Sequence, residues 1–174
     1  MKNITLHREF NHNLLMADNP REVKLWIDKG VDVNHSNEQG HSALFFASNV
    51  EVAQALITYG ADVNHQDQDG ETPLFSAFHD ADLVKLLIKY GANINHKNNK
   101  GETVLFKTNN LMDVVRLINA GCNPFIKNRD GLYHYSNMKI KDRKLYAMFI
   151  DEFKKNINSK SNTLKKKSPQ PEYA

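Results

Sequence analysis

The chain has 174 residues, 40% hydrophobic and 25% charged, with one Cys, five Pro, eight Gly and a formal net charge of +3. That length suits one domain or one repeat array. It holds no apolar run of about 18 residues that could span a membrane, the start MKNITLHREF lacks the apolar stretch of a secretory signal, and one Cys cannot form an internal disulfide.

The expected protein is soluble and cytoplasmic. Its basic character is local. Residues 158–174 carry Lys160, Lys165, Lys166 and Lys167 against Glu172, which accounts for the whole +3 and leaves the first 157 residues neutral. A high isoelectric point therefore says little about what the folded part binds.

In chain order, the first predicted element is a terminal cap over about 6–36. Its core is drawn from Phe10, Leu14, Leu15, Val23, Leu25, Trp26 and Ile27. A repeat follows. Glycines recur at Gly30, Gly60, Gly91 and Gly121, spaced 30, 31 and 30, and again at Gly40, Gly70, Gly101 and Gly131. Residues 26–41, 56–71 and 87–102 read WIDKGVDVNHSNEQGH, LITYGADVNHQDQDGE and LIKYGANINHKNNKGE. The units are 37–66, 67–97 and 98–127, and the period excludes the common leucine-rich, WD40 and armadillo repeats.

Each unit starts a first helix at Ser42-Ala43, Thr72-Pro73 or Thr103-Val104, where a hydroxyl can cap an orphan amide and Pro suits the first position. A second helix follows at 51–59 and 82–90, beginning with an acid that the helix dipole favours. Gly60 and Gly91 end these helices, most simply in the left-handed conformation. A closing cap over 128–157 ends in an amphipathic helix with Leu145, Met148, Phe149, Ile150 and Phe153. Residues 158–174 read as a disordered basic tail.

The segment GETPLFSAFHDADLVKLLIKYGANIN, residues 70–95, resembles the ankyrin repeat, and the resemblance covers about 6–157. It departs in length, because the usual repeat has about 33 residues. From hairpin glycine to helix-end glycine the gaps are 20, 21 and 20, and the turn between the helices shrinks to Ser48-Asn49, His79-Asp80 and Asn109-Asn110. The resemblance implies an all-α solenoid of about five helix-turn-helix units with short β-hairpin loops over residues 1–157.

It also implies protein binding without catalysis, at the hairpin tips and along the first helices of the concave face. Carried over unit by unit, those positions begin with Glu38, Gln39, His41, Phe46 and Asn49. Gln68, Asp69, Glu71, Ser76 and His79 follow, then Asn99, Lys100, Glu102, Lys107 and Asn110, and the last hairpin adds Arg129 and Asp130. Phe46, Ser76 and Lys107 share one repeat position, and such variation suits a surface chosen for a partner. Phe46 is the best single anchor. The first two tips lean acidic and the later ones basic.

No other residues add chemistry. His35, His65 and His96 recur one per unit, but neighbouring repeats stack too far apart for imidazoles to share a metal ion at about 2.1 Å, so a role in the hairpin stem is expected. Cys122 stands where Ala61 and Ala92 stand, as a small buried residue. His79-Asp80-Ala81-Asp82 reads as a solvated turn. No phosphate loop, paired carboxylates or HExxH motif occurs. The expectation is no enzyme, no cofactor, no metal, no membrane and no nucleic acid, and a monomer when alone. An inhibitor or sequestering protein is expected, such as a bacterial immunity protein against a secreted toxin. A bacterial or viral effector acting on a host protein, and a scaffold, are the alternatives. The 21 Asn in the chain suggest an AT-rich genome.

Overall fold

The computed structural model describes residues 11–137 and, beyond them, 143, 144, 146–148, 150, 151, 154 and 155. The chain forms two compact units, residues 1–136 and 137–174. In the first unit, residues 11–15 are helical. Five further α-helices follow: α1 (Pro20–Asp28), α2 (Val50–Thr58), α3 (Pro73–Ala77), α4 (Ala81–Lys89) and α5 (Leu111–Asn119). Short 3-10 helices lie at Ala43–Phe46, Val104–Lys107 and His134–Asn137. No helix among the described residues is long and apolar enough to cross a membrane.

The second helices begin one residue earlier than the acids alone suggest, because an Asn or Asp caps each. Asn19 accepts from the Arg21 and Glu22 amides, and Asn49 from Val52 at 2.8 Å. Asp80 accepts from Asp82 and Leu83, and Asn110 from Met112. Such caps satisfy amides that the helix itself leaves orphaned. At the far end of α2, Gly60 (φ +91°) donates to Ile57, and Ala61 donates to Leu56 across it. Only a left-handed residue allows that pair of bonds, and glycine adopts it without steric cost.

The first helices differ from expectation. Ser42, Thr72 and Thr103 are extended, but none uses its hydroxyl as a cap. All three residues are at most 2% exposed. The trimmed turn leaves too little chain for a full α-helix, so two of the three first helices are single 3-10 turns. The third, which has Pro73 and the one-residue-longer gap, is the five-residue α3.

The core is one continuous column of side chains from successive units. Val23, Leu44, Val52, Leu56, Leu74, Val84, Leu87, Val104, Leu105, Val114 and Leu117 are all at most 4% exposed. No unit could bury these faces alone, so stability comes from stacking neighbours. In the first cap, Leu14, Leu15 and Val23 are buried as expected, whereas Leu25 is 46% exposed. Leu25 follows Val23 by two residues, which on a helix turns it away from the core. Phe10 lies outside the described residues.

In the second unit, residues 143, 144, 146–148, 150, 151, 154 and 155 are helical, with Tyr146 and Ile150 buried one turn apart on one face. Met148, two residues from each, is 70% exposed and does not belong to the apolar stripe expected of it. Leu145, Phe149, Phe153 and residues 158–174 lie outside the described residues.

Candidate protein-binding face

The hairpin tips are built from side-chain carbonyls. Asp67 Oδ1 accepts from the Asp69 and Glu71 amides at 2.9 and 2.8 Å, and Asn98 Oδ1 from Lys100 and Glu102 at 2.9 and 3.0 Å. Asn37 and Asn128 do the same in the first and last hairpins. These residues lock each tip by the local bonding that Asn and Asp favour.

The tips then join one another. The Gln68 amide donates to Gln39 at 3.0 Å, Asn99 to Asp69 at 2.8 Å and Arg129 to Lys100 at 2.9 Å. Close approach requires glycine. A Cβ on Gly40 would lie 2.9 Å from Asp67 Cα, and one on Gly101 3.0 Å from the Arg129 amide. Below the tips, Asn64 bridges two units like a peptide group. Its Oδ1 accepts from Asn93 at 2.9 Å and its Nδ2 donates to the Gly91 carbonyl at 3.0 Å. Asn34 and Asn95 repeat that bridge on either side. The repeated histidines serve the stem: His65 and His96 each donate from Nε2 to the carbonyls of Gly40 and Gly70, at 2.8 Å. Each also meets a Phe edge-on, Phe45 and Phe75 respectively.

The residues singled out in the sequence therefore divide. Glu38, Gln39, Asp69, Lys100, Arg129 and Asp130 are exposed on the aligned tips. The row carries an acid on each of the first two tips and a base on each of the next two, with Lys97 and Lys127 exposed beside the latter. Phe46 is 38% exposed and packs edge-on against His41 at 5.5 Å. His41 in turn stacks on Phe45 at 5.0 Å and pairs with Asp67 at 3.1 Å, which stiffens the base under Phe46. Ser76 and His79 are exposed.

The others hold the stack. Asn49 and Asn110 are helix caps. Gln68 and Asn99 donate their side-chain amides to the carbonyls of Glu38 and Gln68 on the preceding tip, and Glu102 accepts from Asn98. Lys107 reaches both oxygens of Glu71, at 3.0 and 2.9 Å, so it ties the third unit to the fourth. Lys107 is a cross-unit clamp, which spacing alone could not reveal.

The single cysteine is not poised as a nucleophile. Cys122 is 2% exposed and its thiol is pushed up to about 11 by burial, which disfavours the reactive thiolate. Among the described residues, no group of three His, Cys, Asp or Glu side chains could hold a metal ion.

A family model described as ankyrin repeats (3 copies) matches residues 12–98 and 48–128. No curated protein matches the sequence at a significant level. The matched span covers most of the chain and coincides with the stacked units, so the chain belongs to the ankyrin repeat family, whose repeats are protein–protein interaction modules.

Proposed function

We propose that the chain binds a protein partner through its row of hairpin tips and the adjoining Phe46, and that binding inhibits or sequesters that partner. The observation that carries this is the aligned charged row, from Glu38 and Asp69 to Lys100 and Arg129, beside an exposed aromatic on a rigid base. Complementary charge steers and orients association, and a packed aromatic supplies anchor energy. An interface of standard size buries about 800 Å² on this side, within reach of four tips and three first helices. An ankyrin array can act by occupying a partner's surface, as an immunity protein does to a toxin.

The test uses a triple variant. Lys107 is left alone because it clamps Glu71. Phe46→Ala with Lys100→Glu and Arg129→Glu should preserve the circular dichroism spectrum. It should weaken binding of the co-purifying or neighbour-encoded protein by more than tenfold. The purified wild-type chain should also abolish that protein's activity. Unchanged affinity in the triple variant refutes the assigned face, and full activity of the saturated complex refutes inhibition.

A further inference from the structure

One unit is a residue longer than its neighbours, and a crevice lies beside the extra residue. The helix cap is nine residues after the hairpin glycine in two units (Gly40 to Asn49, Gly101 to Asn110) and ten in the other (Gly70 to Asp80). The extra length makes α3 an α-helix while the preceding unit keeps its 3-10 turn. A cavity of about 210 Å³ opens between the two units, lined by Ala47 and Ser48 of the first and by Ala77 and His79 of the second. Ala53 and Leu83 line its depth. Arg116 Nη1 donates to the His79 carbonyl at 2.9 Å, which holds the longer turn in place.

The size and charge of the crevice point to its occupant. Pockets for drug-sized ligands run about 300–1,000 Å³, so this one suits a single apolar side chain. Its rim is acidic. Asp80 lines it, spends Oδ1 on the α4 amides, and has no partner for its second oxygen among the described residues. Arg116 is paired with Asp113, and Lys85 with Asp82.

We infer that this crevice receives an apolar side chain flanked by a cation, presented by a basic segment of the protein partner. The inference rests on the protein-binding reading and adds to it a second contact, on the turn edge of the stack. Interface anchors sit in desolvated pockets of this kind, and a cation beside Asp80 completes the pairing.

Fragments test it without the partner. Phenethylamine carries an apolar ring and a cation, and phenylacetate the same ring and an anion. Titrated into the full chain by methyl and amide NMR, phenethylamine should shift Ala47, Ala53, Ala77 and Leu83 saturably in the millimolar range. Phenylacetate should bind at least fivefold more weakly. Asp80→Asn retains a good cap residue and should bring the two within twofold. Ala77→Leu should fill the crevice and abolish binding with the spectrum otherwise folded, and Ser48→Leu serves the same purpose if that variant unfolds. Non-saturable shifts, saturation centred on residues away from the crevice, or discrimination that survives Asp80→Asn would each overturn the proposal. These outcomes do not depend on the triple variant, so either reading can fail alone.

Discussion

His134 is a histidine that folding keeps uncharged. It is 3% exposed, its ring meets Phe106 edge-on, and burial lowers its pKa to about 4. The unfolded chain, with an ordinary value near 6.5, binds the proton first as pH falls. Stability is therefore fully present above about pH 6.5 and is lost progressively towards pH 4, by a total on the order of 3 kcal/mol. Urea midpoints measured from pH 7.5 to 4 should fall over that window, and His134→Phe should flatten the fall. A wild-type midpoint constant over the range would contradict this. Asparagine matters at the same scale. Its abundance suggests base composition when read as a count. In the structure, Asn34, Asn64 and Asn95 bridge units, Asn37, Asn98 and Asn128 lock hairpins, and Asn19, Asn49 and Asn110 cap helices. The side chain is used because it carries both a carbonyl and an amide at short reach.

Among the elements, the hairpins are the least tolerant. All four hairpin glycines have positive φ, so a side chain costs about 1–2 kcal/mol at each through the left-handed conformation alone. Steric surroundings separate them. At Gly40 a Cβ would press on the Asp67 backbone at 2.9 Å, whereas at Gly131 nothing lies within 4 Å. Gly40→Ala should therefore cost at least about 1 kcal/mol more than Gly131→Ala, because only the first forces neighbouring backbone to move. Chemical denaturation of the two variants decides it, and equal losses would mean that the tips are not pressed together. The first helices are the elements that departed most from expectation. A Ser or Thr before an apolar run signals a cap, yet here the residue is buried, its hydroxyl makes no cap bond, and the helix runs at most five residues.

Across the whole molecule, what was legible in the sequence was what repeats. The glycine spacing, the second helices and the core at Val52, Leu56, Val84 and Leu87 follow from periodicity. So did the structural use of His65 and His96, because a ladder spaced one per unit cannot converge on one ion. What was not legible depended on contacts across units. The Glu71–Lys107 pair spans 36 positions, and nothing local in either residue announces it. Leu25 and Met148 are apolar yet exposed, because each lies two residues from the buried stripe of its helix. The division between tip residues that face outward and those that brace the next unit is likewise a product of stacking. It narrows the candidate face from seventeen positions to a charged row, Phe46 and the turn edge.

Three backbone amides, those of Gln68, Asn99 and Arg129, each cross one boundary between successive hairpins. Each is thus a separate gauge of how often that boundary opens. In a linear stack, units peel from the ends without the middle yielding, and native-state hydrogen exchange resolves such partial openings. Asn99, at the central boundary, should be the most protected of the three, with Gln68 and Arg129 exchanging through smaller openings. One shared protection free energy, equal to that of global unfolding, would instead mean that the short units open as a single cooperative body.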